Sequence, residues 1–108
     1  MNPTELGDQI LSPEQRAYAS LYEKVLGEVR DLLIAALNLN RTPDEIDPDT
    51  ALFGTGLALD SLDAVEIVIG LETQMGVKLE GQAQQRQAMR SVNAMVEVVM
   101  AHRAGGRS

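Results

Sequence analysis

Asp60-Ser61-Leu62-Asp63-Ala64-Val65-Glu66-Ile67-Val68-Ile69-Gly70-Leu71-Glu72 is the stretch on which the fold turns. Its spacing predicts a helix from Asp60 or Ser61 to about Met75. Asp60 is a good N-cap, Asp63 adds an acid to the first turn, and Gly76 is a natural stop. Two apolar stripes run along it. Ala64, Ile67, Val68, Leu71 and Met75 fit a bundle core. Leu62, Val65 and Ile69 form a second stripe beside Asp63, Glu66 and Glu72. One buried stripe suffices for a bundle helix. The second stripe therefore reads in two ways: an acid-rimmed docking surface, or one more face of a helix buried on most sides.

Working outward, the same periodicity recurs on both flanks. Ser12-Pro13-Glu14-Gln15 is a helix start: a capping serine, a proline at the first helical position, and a glutamine three residues after the cap. Leu21, Val25, Val29, Leu32, Leu33, Ala36 and Leu37 continue it as one apolar face to Asn38–Asn40. Gly27 weakens this helix without breaking it. Residues 40–59 form a long connection containing Pro43, Pro48, Gly54, Gly56 and many acids. Leu52 and Phe53, with Ile46, are expected to tie it to the core. After Val77-Lys78-Leu79, residues 82–90 have helix-forming residues but little apolar face, so a short or partly frayed helix is expected. Ser91 caps a last helix with a stripe of Val92, Met95, Val96 and Val99, ended by Gly105-Gly106. The expected fold is all-α, a small three- to four-helix bundle with a long loop between the first and second helices. Residues 1–12 are expected to be a flexible tail and 13–104 one domain.

Composition narrows the chemistry. The 108 residues contain no cysteine, one histidine, and sixteen acids against nine bases, a net charge of −7. There is no thiolate nucleophile, no cysteine-based zinc site and no multi-histidine metal site. An acidic chain is a poor partner for nucleic acid, which needs a basic face. No window is long and apolar enough for a membrane span, and the first residues lack a secretory signal pattern, so a cytoplasmic location is expected. The charge is concentrated. Residues 42–80 hold nine acids and one base, whereas 81–108 hold one acid and four arginines. The acidic block is either solvated surface or a docking face for basic partners.

Ser61 lacks the means to be a nucleophile by itself. A serine hydroxyl needs an activating base, and the single histidine, His102, lies far along the chain. Neither a G-x-S-x-G elbow nor an S-x-x-K pair is present. Gly54-Thr55-Gly56 starts like a nucleotide-binding loop, but Leu59 replaces the third glycine and no strand precedes it. Asp47-x-Asp49 starts like an EF-hand loop, but Ala51 and Ala58 stand at its fifth and twelfth positions, where ligands belong, and Leu52 stands at the sixth, where glycine belongs. Two readings of Ser61 remain open: part of a cap, or an acceptor for a phosphate-linked group at a helix N-terminus, where free N–H groups and the dipole favour an anion.

The segment Gly56-Leu57-Ala58-Leu59-Asp60-Ser61-Leu62-Asp63-Ala64-Val65-Glu66 resembles the acyl carrier protein family. The long first helix, the loop with Leu52-Phe53-Gly54 and the valine-initiated last helix extend the resemblance over about residues 18–103. It implies that a phosphopantetheinyl transferase moves 4′-phosphopantetheine from coenzyme A onto Ser61, with Asp60 and Leu62 flanking the attachment. The arm's thiol would hold acyl groups as thioesters, in keeping with the absence of cysteine. The protein would be a substrate and shuttle, not an enzyme. Asp60, Asp63, Glu66 and Glu72 would contact basic patches on acyl-loading, elongating and transferring enzymes, with Leu62, Val65 and Ile69 beneath. Ala64, Ile67, Val68 and Leu71 would face the acyl chamber and core, and a monomer is the family expectation. The early first helix, the longer 77–90 segment and the arginines Arg86, Arg90, Arg103 and Arg107 depart from the housekeeping pattern of fatty acid synthesis. They resemble carriers of dedicated polyketide, aryl-polyene or unusual-lipid pathways. A peptidyl or aminoacyl carrier is the nearest alternative. An unmodified acidic helical adaptor, needing Ser61 only at a cap, is a different class.

Overall fold

The computed structural model describes residues 12–52 and 59–104. The expectations for residues 1–11, for Phe53 and Gly54-Thr55-Gly56, and for Gly105-Gly106 and Arg107 lie outside them. Among the described residues the protein is an all-α bundle of four helices: α1 (Pro13–Leu37), α2 (Ser61–Met75), α3 (Gly81–Ala88) and α4 (Val92–Ala104). The one β feature among them is an isolated bridge between Ala51 and Ser91.

Each helix is delimited by local chemistry. Gln15 N–H donates to Ser12 Oγ at 3.1 Å, and Ser12 N–H donates to the Gln15 side chain at 2.8 Å. This reciprocal box satisfies amides that the first turn leaves free. At its far end α1 closes on Asn38, in the left-handed region at φ 52°. Ala94 N–H donates to Ser91 Oγ at 3.0 Å at the start of α4. Gly76, at φ 69°, ends α2 in a conformation that a Cβ would disfavour.

α1 packs against both α2 and α4, and α3 packs chiefly on α4. The core comprises Val25, Leu26, Val29, Leu32 and Leu33 of α1, Ile67 and Leu71 of α2, and Val92, Met95, Val96, Val99 and Met100 of α4. Two details of α1 differ from the sequence expectation. Leu21 is 41% exposed, because residues 13–21 run past the ends of the elements that pack on α1. Leu26, outside the expected stripe, is buried: a helix covered from two sides buries a wider arc than a single stripe. At Gly70 the two helices α1 and α2 pack closely. A Cβ there would stand 2.6 Å from Leu32 Cδ1.

The long connection is held at several points. A short 3-10 helix, Pro43–Glu45, follows Thr42, whose N–H donates to the Glu45 carboxylate at 2.7 Å. That bond holds the Glu45 carboxyl below its ordinary pKa. Ile46 and Leu52 are fully buried, as expected of anchors. Arg30 Nε donates to Ile46 O at 2.8 Å. Val92 N–H donates to Thr50 O and Asn93 N–H to Pro48 O, so the loop also caps α4. Leu59 N–H donates to Leu52 O at 2.9 Å, which fixes the chain immediately before α2.

Two polar links brace α1 against α4. The Tyr22 hydroxyl donates to Asn93 Oδ1, and burial, followed by nearby carboxylates, raises the phenol pKa and keeps it a donor. Arg103 pairs with Glu28 through two hydrogen bonds of 3.0 Å. The hydrogen bond from Arg103 holds the Glu28 carboxyl below its ordinary pKa. A lowered folded-state pKa adds stability above the unfolded carboxylate pKa, lost as pH falls through the folded value. Glu28→Gln should therefore cost under about 1 kcal/mol at neutral pH, since both side chains are part-exposed. The cost should vanish once acid has protonated Glu28 in the parent; thermal melts of the two chains across a pH series check this.

Candidate functional site

The first turn of α2 is built by its own acids. Asp63 N–H donates to Asp60 Oδ1 at 2.9 Å, and Asp60 N–H donates to Asp63 Oδ2 at 3.1 Å. Two carboxylates of the expected docking set are thus engaged with each other's backbone. They also place negative charge where the helix dipole favours it. Ser61 follows the cap directly. It is exposed, and its hydroxyl has no hydrogen-bond partner among the described residues. His102 lies in the last turn of α4, about 15 Å along that helix from Val92, whose amide meets the loop that leads to α2. No base among the described residues bonds the serine hydroxyl.

The two-stripe question on α2 resolves by exposure. Leu62, Val65 and Ile69 are 68%, 53% and 54% exposed. Glu66 and Glu72 are exposed and Asp63 is half-buried. Ile67 and Leu71 enter the core. Ala64 and Val68 do something different from those two: with Val65 and Ile69 they line a cleft of about 950 Å³ between α2 and α3. The four residues expected to face chamber and core thus divide: Ile67 and Leu71 enter the core, and Ala64 and Val68 line the cleft, Val68 packing against the core as well. Val65 and Ile69 belong to both the exposed stripe and the cleft wall.

The opposite wall is Gln82, Gln85, Arg86, Gln87, Met89 and Arg90. Sequence reasoning gave these residues no part in a site, because the segment shows no apolar stripe. The available signal was the spacing of Gln82, Gln85, Arg86 and Met89, which places them on one helix face whatever their polarity. Gly81–Ala88 is a helix as expected, anchored by Ala88 and Met89, both buried.

A four-helix frame that presents a serine at a helix start, with no base bonded to it among the described residues, and that holds a cleft alongside the same helix, has the form of a carrier domain. Residues 27–99 match the family model described as the phosphopantetheine attachment site, and the chain belongs to that family. No curated protein matches it significantly. Members carry covalently attached 4′-phosphopantetheine and engage phosphopantetheinyl transferases and pathway enzymes. Such a domain is a carrier and not itself catalytic. The exposed Ser61 hydroxyl, free of competing partners among the described residues, fits a phosphodiester to that group. No helix of the described residues is long and apolar enough to cross a membrane.

Proposed function

We propose that the protein is an acyl carrier whose Ser61 takes the 4′-phosphopantetheine arm. The observation that carries this is the exposed hydroxyl of Ser61 in the first turn of α2, without a hydrogen-bond partner among the described residues and inside the matched span. A transferase supplies the base; Ser61 Oγ takes the phosphopantetheinyl phosphate of coenzyme A and the nucleotide leaves. The arm, once attached, supplies a thiol for thioester chemistry, which a chain without cysteine cannot supply itself. Asp60 and Leu62 flank the linkage; Asp60 holds the cap that presents Ser61. Residues 13–104 form the carrier domain, with a cytoplasmic, monomeric state as the accompanying expectation. The acidic second helix supports acyl over peptidyl or aminoacyl cargo. The basic α3 supports a specialised lipid or polyketide pathway over housekeeping fatty acid synthesis. The test is intact mass after incubation with coenzyme A and a transferase active on a control carrier. Fragmentation must place the added mass on Ser61; added mass on another residue sinks the assignment.

Docking is proposed on the exposed stripe of α2. Leu62, Val65 and Ile69 supply apolar contact, and Asp63, Glu66 and Glu72 supply charge toward basic patches on partner enzymes. Glu66→Lys should slow association with such an enzyme, and the loss should shrink with added salt, because exposed charges are screened over about 8 Å at physiological ionic strength. Transfer rates equal to the parent's at every salt concentration would exclude charge-guided docking through Glu66.

A further inference from the structure

Resting on Ser61 as the attachment point and on the α2–α3 cleft as the chamber of the tethered chain, we propose that this cleft is built for a chain that ends in a carboxylate. Ala64 and Val65 stand one turn beyond Ser61, and the cleft continues to Ile69, about 12 Å along the helix axis from the serine. A chain turned back from Ser61 therefore meets the α2 wall first. That wall is aliphatic and suits methylenes.

The α3 wall is of another kind. Arg86 in its last turn and Arg90 just past its end both line the cleft. Both are exposed, and neither is in an ion pair; the ion pair among the described residues is Glu28–Arg103. This is notable in a chain of net charge −7. Closing a plain alkyl chain against two guanidinium groups would desolvate charge without compensation. A carboxylate at the chain end gives those groups charge-assisted, bidentate partners. The glutamines beside them add amide donors to the same wall. The occupant that satisfies both walls is an ω-carboxyacyl chain: aliphatic against α2, anionic against α3.

The test loads the protein with hydrolysis-stable pantetheine amides of octanoate, suberate and suberate methyl ester, and records amide NMR shifts. Intact mass followed by fragmentation first reports whether the arm is on Ser61. If it is not, the attachment reading falls and this proposal falls with it. With the arm attached, the suberoyl chain should shift the amides of residues 82–90 and populate the docked state roughly tenfold more than its methyl ester, as one charge-assisted contact allows. Arg86→Gln with Arg90→Gln should erase that difference, while Arg86→Lys with Arg90→Lys retains part of it. All four substitutions are at exposed positions, so the far-ultraviolet dichroism of both double variants should match the parent's. If octanoyl or the ester shifts the α3 amides as strongly as suberoyl, the carboxylate proposal is overturned and the attachment site stands.

Discussion

A Ser61→Ala chain is expected to fold as the parent does and to gain no mass from coenzyme A and an active phosphopantetheinyl transferase. The two halves of this expectation have separate physical origins. Folding survives because Ser61 is exposed, makes no side-chain hydrogen bond among the described residues, and is not the cap; Asp60 is. Alanine is also the stronger helix former. A change within about 0.5 kcal/mol is expected, as for surface positions outside special features. Asp60→Ala, by contrast, should cost about 1 kcal/mol by removing the cap. Loading is lost because the acceptor oxygen is gone, so the effect is all-or-none. A Ser61→Ala chain that still gains the arm's mass would move the attachment elsewhere. If the parent also fails to gain mass, either a dedicated transferase is required or the chain acts as an unmodified acidic adaptor. In the adaptor case Ser61→Ala should leave partner binding unchanged.

The largest loss of stability is expected from Leu33→Ala. Leu33 is fully buried on α1, the helix against which both α2 and α4 pack. Truncation removes transfer free energy and leaves a cavity that two neighbouring helices cannot both close. A cost of about 3 kcal/mol follows from comparable core truncations. Stabilities of small domains are about 5–15 kcal/mol, so this is a large share of the total. For a domain of this size the melting temperature should fall by roughly 12–24 °C. Dichroism-monitored melting checks it; a drop of only a few degrees would mean that the site collapses around the cavity or was never tightly packed. Gly70→Ala should be milder. The added methyl meets only the end of the Leu32 side chain, and loss of a helical glycine offsets part of the strain.

What was legible in the sequence was what local chemistry decides. Ser12, Asp60, Gly76 and Ser91 punctuate the chain as read, because caps act over three or four residues. Thr42-Pro43-Asp44-Glu45 has the same capping pattern and could have been read as the short 3-10 turn it is. Ile46 and Leu52 stood out as apolar residues in a polar loop. Properties set by neighbours were not legible. Leu21 fits the α1 stripe, yet it stays exposed among the described residues. The exposure of Leu62, Val65 and Ile69 depends on where α1 and α3 lie, which periodicity along α2 does not encode. The serine's place at a helix start was readable from its cap and flanking acids, whereas its choice as the attachment point rested on the resemblance at residues 56–66. The cleft was not: one of its walls is made of glutamine and arginine, and hydrophobic patterning does not register a wall of that kind.

The attachment of α3 has a consequence for how the molecule opens. Three helices are braced together, α1 to α2 by the close approach at Gly70 and α1 to α4 by Tyr22–Asn93 and Glu28–Arg103. α3 is eight residues long, enters through Gly81 at φ 81°, and leans chiefly on α4 through Ala88 and Met89. Of its eight residues Ala88 alone is buried, so its amides should form a unit less protected from hydrogen exchange than the rest. One side of the cleft can then part from the other without melting the frame. Passage of the proposed tethered chain into and out of the cleft would thereby be separated, in free energy, from the survival of the fold.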